Sequence, residues 1–425
     1  MKIAILTNHM EMIPGFSLTG IIQDQCRMLS RFGHDVHLFV NEQFNENSYP
    51  VGLDGLDVTI EKKVPFAHLV DYQSQKDLNQ DHVETVNKTA DMLEKELADI
   101  DFAFTHDWIF QGWFLPYGLG CIKASSGLKN CHFMHWIHSV PSGFRDWWHV
   151  RHYGSNHTLV YPNETDRLYV AEQYRGAIDN IRTIHHIKDL RTWFDFCPVT
   201  CDIINKVPNL LQADIVQILP ASADRLSAKR VKETILIFSK LKEQGERVCL
   251  FIANQWATTR THRESAEKYE YMAYDAGLVK GEIVFSSELD EKYEIGLPKQ
   301  VIRELFQLSN LFIFFTREET FGLVIPEACL SGGVLLVNNQ SLDMQREIAK
   351  GTGLYFDFGS NRRNLDHVKN EDNYFNGIAS IIRGRMRQDD AIKSKTAMRQ
   401  AYNMDYLYNH EYAPVMAELK KQAEG

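Results

Sequence analysis

Short apolar runs, unbroken by charge, recur along the whole chain and alternate with longer segments of helical spacing. In the first half they fall at 3–6, 36–40, 102–105, 132–138, 158–161 and 181–186. In the second they fall at 215–219, 248–253, 283–286, 311–315, 334–337 and 354–356. A strand with one wet face would alternate apolar and polar residues. These do not, so each is expected to be buried on both faces. Strands of that kind, separated by helices, build parallel sheets with helices on either side. Two sets of about six strands predict two doubly wound α/β domains rather than one very wide sheet. An eight-stranded barrel is the rival architecture, and the strand count and the loops fit it less well.

Helical patterns fill the gaps. Ile22, Cys26 and Leu29 share a stripe over 21–32, which Gly33 ends. The same spacing recurs over 231–241 and 301–308. The seam is expected near 201–211, giving domains over 1–205 and 206–400. A last, tyrosine-rich helix over 401–425 is interrupted at Pro414.

At 425 residues the chain has room for two or three domains. A formal charge of -10 argues against a surface coated for nucleic acid. The balance is uneven. Between Trp108 and Asn163 the only acid is Asp146, against Lys123, Lys129, Arg145 and Arg151. Seven cysteines without framework spacing suggest reduced thiols in a cytoplasmic protein. Cys197 and Cys201 are the only close pair, and no second pair completes a zinc site, so no metal is expected. No apolar run has the length of a membrane span, and the first residues read as a strand rather than a signal peptide.

In open parallel sheets, ligands bind at the carboxyl ends of the strands, and the polar clusters of this chain fall there. The most specific is Glu319-Thr-Phe-Gly-Leu-Val-Ile-Pro-Glu327, between the runs at 311–315 and 334–337. Gly322 lets the backbone approach a ligand closely. The turn and the helix start offer free N–H groups to an anion. Each carboxylate can accept from a pair of neighbouring hydroxyls. A phosphate between two diol-bearing rings is a nucleotide-sugar. The plain alternative is a helix with acidic residues in its first turn.

This segment resembles the E-x7-E element of retaining glycosyltransferases of the GT-B architecture, the family 4 group that includes glycogen-synthase-like enzymes. The resemblance is close over 316–338 and looser over most of the chain. It implies two facing Rossmann-like domains with the site in the cleft between them, and a closing helix that crosses back onto the first domain. It implies transfer of a hexosyl or pentosyl group from a UDP- or GDP-linked donor to an acceptor hydroxyl, without a metal cofactor. Glu319 would reach hydroxyls of the donor sugar and Glu327 the ribose diol. Thr320, Phe321, Gly322, Leu323 and Val324 would line the donor, with main-chain N–H groups toward sugar and phosphate.

Other segments extend the likeness. Ser222-Ala-Asp-Arg-Leu-Ser-Ala-Lys-Arg230 resembles the family's Gly-Arg-Leu…Lys-Gly segment, whose cations neutralise the diphosphate. Fixed cations there would stabilise a leaving group that gains negative charge. Arg225 takes the Arg role. The spacing is one residue short, so Lys229 and Arg230 compete for the other role, and Lys229 is preferred. His106-Asp107-Trp108 resembles a His-Asp-Trp that lines the acceptor side. His138 falls where the family places a histidine against the donor sugar; His132 and His135 read as packing residues. Gly20, at the start of the first helix, stands where relatives approach the donor through a glycine loop, and Asn254 closes a strand where it could meet the nucleotide. The catalytic set on this reading is His138, Arg225, Lys229 and Glu319.

The acceptor stays open. Gly143-Phe-Arg-Asp-Trp-Trp-His-Val-Arg-His-Tyr153 interleaves Arg145 and Arg151 with Trp148 and other aromatics. Such a stretch suits a saccharide, a packed lid, or nucleic acid. A viral-type glycosyltransferase acting on a hydroxymethylated DNA base is therefore an alternative. So is a nucleotide-sugar epimerase on the same architecture, which the E-x7-E pattern disfavours. So too is a non-catalytic nucleotide-sugar-binding protein, against which the intact Arg225, Lys229, Glu319 and Glu327 argue.

Overall fold

The computed structural model describes residues 1–66, 75–109, 114–139, 154–174, 178–360 and 371–424. The chain divides into two compact units. One comprises 1–189 and 402–425, the other 190–401. The stretch after 189, placed by the sequence in the first domain, packs Phe196, Ile203 and Ile204 into the core of the second unit.

The first unit is built on seven parallel strands: β1 (Lys2–Leu6), β2 (Asp35–Asn41), β3 (Val58–Val64), β4 (Phe102–His106), β5 (His132–Trp136), β6 (His157–Tyr161) and β7 (Ile181–Thr183). Their order is β3-β2-β1-β4-β5-β6-β7. Both faces are covered, as the unbroken apolar runs require. Ile3 and Ile5 pack with Ile22, Cys26 and Leu29 of the Ser17–Arg31 helix. Ala4 and Leu6 pack on the other face with Leu93 of the Gln80–Glu96 helix and Cys121 of the Leu115–Ser125 helix. The first face is completed by the C-terminal segment, through Met404, Leu407, Tyr412, Met416 and Leu419. That segment is helical over Met404–Leu407, takes a π turn over Tyr408–Tyr412, and is α-helical again over Ala413–Glu424. Pro414 has no N–H to give to the preceding turn, and the π turn lies just before it.

The second unit holds β8 (Ile215–Pro220), β9 (Val248–Ala253), β10 (Ile283–Phe285), β11 (Leu311–Phe314), β12 (Leu335–Asn339) and β13 (Leu354–Phe356). They form two three-stranded parallel sheets, β10-β9-β8 and β11-β12-β13. Side-chain amides join the two at β8 and β11. Gln217 Oε1 accepts from Ile313 N–H at 3.0 Å and its Nε2 donates to Ile313 O at 2.9 Å. Asn310 Oδ1 accepts from Val216 N–H at 2.9 Å. The order across the unit is therefore β10-β9-β8-β11-β12-β13. The first six strands of the first unit repeat it. In each unit the order reverses beside the first strand, the place where doubly wound sheets take their ligands.

Candidate functional site

In the second unit the chain leaves β8 through the loop 221–230. Arg225 N–H donates to Ser222 O and Lys229 N–H to Arg225 O, each at 2.9 Å, so the loop coils into a turn. The loop after β11 is tied to it by main chain: Arg317 N–H donates to Ala228 O at 2.8 Å. Thr316 Oγ1 adds a bond to the same oxygen at 3.3 Å. The tie brings two cations against two carboxylates. Lys229 Nζ lies 2.7 Å from Glu319 Oε2, and Arg225 lies 3.3 Å from Glu318. The Lys229–Glu319 pair is mostly buried, with Lys229 Nζ 4.9 Å from the centre of the Phe314 ring. Burial alone would raise the Glu319 carboxyl. The bonds from Lys229 and from Thr320 N–H, at 3.0 Å, outweigh it and hold the group below the usual carboxylate range.

Gly322 has φ +76°, and a Cβ there would come 3.4 Å from Glu319, Phe314 and Ile325 carbons. A side chain would be strained and crowded at once. Phe321 and Leu323 are exposed beside it, and Val324 opens the Val324–Leu330 helix. Glu327, in the first turn of that helix, makes a different contact, 3.1 Å from Lys299 Nζ. It lines a cavity of about 510 Å³ with Lys299, Gln300, Arg303 and Phe306.

Arg230, left open by the sequence, is a structural residue here. Its φ is +54°, and its side chain lies in the core, 3% exposed. There it bonds the Phe358 carbonyl and pairs with Glu233 at 3.0 Å. Lys229 is the cation that faces Glu319. Asn254 is fully buried and committed to the loop after β10: it donates to Ser287 Oγ at 2.8 Å and accepts from Ser287 N–H at 3.1 Å.

In the first unit, Gly20 lies within the Ser17–Arg31 helix, and a Cβ on it would meet nothing within 4 Å, so packing does not demand a glycine there. His106 ends β4 at 2% exposure, and its Nδ1 lies 2.8 Å from Nε2 of His138, just past β5. Asp107, at φ +60°, accepts from His138 N–H at 2.9 Å, and burial pushes its carboxyl up to about 6. His186 stacks on His138 with ring centres 5.2 Å apart. Burial pushes His138 down to about 3, with His186 adding to the effect, so it is neutral at physiological pH. His132 bonds Thr158 and His135 bonds Thr105 and His157; both are buried. Trp108 packs in the core against Tyr117. Arg145, Trp148 and Arg151 lie outside the described residues.

Glu318, Lys299, His186 and Gln25 were not singled out from the sequence. Glu318 stands beside a residue that was, whereas the others meet their partners through the fold and leave no local pattern. Among the described residues, no group of three or more His, Cys, Asp or Glu side chains has metal-holding geometry, and no helix is long and apolar enough to cross a membrane.

No family model and no curated protein matches the chain. Solved structures align along its length at low similarity. A glycosyltransferase from Rickettsia africae is 13% identical, with 98% of each chain covered and a TM-score of 0.36. HepE from Anabaena, solved in complex with UDP, is 14% identical over 98% of this chain and 100% of the other, with a TM-score of 0.35. The trehalose-6-phosphate protein of E. coli, bound with UDP-2-fluoro glucose, is 13% identical over 99% of each chain, with a TM-score of 0.33.

Proposed function

We propose that this protein is a glycosyltransferase that moves a sugar from a nucleoside diphosphate to an acceptor hydroxyl with retention of configuration. The observation that carries the reading is the grouping of Lys229, Arg225 and Glu319 around a left-handed Gly322 at the ends of β8 and β11. Cations held by a main-chain tie suit a leaving diphosphate, and a carboxylate beside them suits the hydroxyls of the sugar it leaves.

In this scheme the bond from the anomeric carbon to the β-phosphate oxygen breaks, and the electron pair leaves with the phosphate. Arg225 and Lys229 stabilise the charge that develops, so the protein itself supplies positive charge there. The acceptor oxygen forms the new bond on the same face of the sugar, and its proton passes to the departing phosphate oxygen. Glu319 then serves as a sugar ligand rather than as one of two carboxylates flanking a single bond, the hydrolase arrangement. Glu327 holds the ribose diol, and the acceptor is a saccharide or small molecule.

The test is a screen of UDP- and GDP-sugars, read by thermal shift and by mass spectrometry of the products. It is run with saccharide acceptors and, in a separate arm, with hydroxymethylated DNA. Stabilisation by a nucleotide, followed by slow donor hydrolysis or transfer, is expected. Stabilisation without turnover by any donor would make the protein a binder. Product on the DNA alone would move the acceptor assignment to nucleic acid. The absence of any nucleotide response would overturn the proposal.

A further inference from the structure

His138 is joined to the C-terminal segment by a chain of buried side chains. His138 Nε2 lies 2.8 Å from His106 Nδ1, and His106 Nε2 lies 3.0 Å from Gln25 Oε1. Gln25 Nε2 in turn donates to the Tyr412 hydroxyl at 3.1 Å, a group that Trp136 also bonds. Gln25 and His106 are 0% and 2% exposed, and Tyr412 is 2% exposed. The order of donors along this chain is constrained. An amide nitrogen only donates and an amide oxygen only accepts. With Gln25 Nε2 spent on Tyr412, its oxygen faces His106, so His106 carries its proton on Nε2. A neutral imidazole has one N–H, so His106 Nδ1 is an acceptor, and His138 Nε2 must be the donor to it. His138 then keeps a lone pair on Nδ1. That atom is buried and has no hydrogen-bond partner among the described residues.

We propose that Gln25, anchored by Tyr412, is a positioning residue that fixes the tautomer of His138 so that Nδ1 offers a lone pair to a ligand hydroxyl. The proposal rests on the reading of His138 as a sugar-facing residue and adds what that residue asks of its ligand. A hydrogen-bond donor is accepted at Nδ1, whereas a carbonyl or a phosphate oxygen placed there meets lone pair against lone pair. The ligand group met there is thus a hydrogen-bond donor, as a sugar hydroxyl is. The surroundings fit: burial, with His138, His9 and His186 adding to it, holds His106 well below its usual value, so the cluster offers no cation to an anion. The C-terminal return over the first sheet thereby reaches the site, besides closing the core.

The experiment is long-range ¹H–¹⁵N correlation on the full chain labelled at histidine, with His106 and His138 assigned by substitution. Both rings are expected as single Nε2–H tautomers at neutral pH. Gln25→Glu keeps an acceptor toward His106 and should keep both. Gln25→Leu should leave His138 a mixture of tautomers, while UDP or GDP still stabilises the protein, because the nucleotide residues lie in the other unit. A wild-type His138 protonated at Nδ1, or a tautomer unchanged in folded Gln25→Leu, would overturn the relay. If Gln25→Leu does not fold, the wild-type and Gln25→Glu spectra decide by themselves. Failure of the wild type to respond to any nucleotide would instead count against the transferase reading and leave the tautomer result standing.

Discussion

Lys229 Nζ stands 2.7 Å from the Glu319 carboxylate, so a cation assigned to the diphosphate is already neutralised by a carboxylate assigned to the sugar. An incoming diphosphate has to share or displace that partner. Glu319→Gln removes the competing charge while keeping the shape. Free UDP or GDP, which carries no sugar, is therefore expected to bind more tightly, by up to about tenfold, or roughly 1.4 kcal/mol. Turnover should fall in the same variant, because the sugar loses its ligand. Lys229→Met should do the opposite to affinity, weakening the nucleotide by about 1.5–3 kcal/mol, the range for a charge-assisted bond. Calorimetric titration of both variants decides the matter. Equal affinities across wild type, Glu319→Gln and Lys229→Met would remove the diphosphate from this site.

Arg230 gives the contrasting prediction. Its guanidinium is buried on the Phe358 carbonyl and beside Glu233. Arg230→Ala should orphan that carbonyl and leave Glu233 uncompensated, costing about 1–3 kcal/mol. It also keeps a Cβ in a left-handed conformation, which Arg230→Gly relieves. Both variants should melt below the wild type, with the glycine variant the less affected, and both should bind nucleotide as the wild type does while folded. A large loss of nucleotide affinity in folded Arg230→Gly would return Arg230 to the phosphate site.

What the sequence showed and what it hid follow from the range of the interactions. The expected runs lie on strands because they are buried on both sides, a local property that composition records. β3 was missed because it reads Val-Thr-Ile-Glu-Lys-Lys-Val: it is the outer strand of its sheet, and Glu61, Lys62 and Lys63 are not buried. An edge strand carries charge that a central strand cannot. The loops 222–230 and 316–322 stood out as candidates because each gathers its charged residues and glycine or serine within a few positions, and the structure ties the two together. The choice between Lys229 and Arg230 was not legible, since it rests on which of two adjacent cations is buried on the distant Phe358 carbonyl, a contact 128 positions away. Gln25 and Tyr412 lie 387 positions apart, so only the fold pairs them.

Gln217 supplies a prediction about stability alone. It is fully buried, and its amide both donates to and accepts from Ile313 across the β8–β11 junction. Gln217→Leu fills similar space but leaves a buried N–H and a buried C=O without partners. Each orphaned group costs about 1–3 kcal/mol. Urea unfolding should show the loss as a lower midpoint at unchanged slope. Gln217→Glu should be no better, because it restores the acceptor and not the donor, and adds a buried charge. A Gln217→Leu midpoint equal to that of the wild type would mean the junction is held by packing and not by the amide.

The first unit should lose stability in mild acid. Burial leads the downward shift of His9, His132 and His186 to about 4 and of His138 and His157 to about 3. In the unfolded chain these groups titrate near 6.5. Between about 6.5 and 4 the unfolded state therefore binds more protons, and stability falls as pH falls, by about 1.4 kcal/mol per pH unit for each full proton of difference. Asp107 acts in the opposite sense. Its carboxyl, pushed up to about 6 by burial, keeps its proton in the folded state over part of the same range and offsets one histidine. The remaining imbalance is on the side of acid destabilisation, and above about pH 7 the histidine contribution is complete. Chemical unfolding monitored at a series of pH values should show the midpoint dropping steeply below pH 6.5 and level above pH 7. Replacing His132 by Gln, which can still bond Thr158 Oγ1, should make that descent shallower by one histidine's share. A midpoint flat from pH 7 to 5 would mean that these rings are charged, or solvated, in the folded protein.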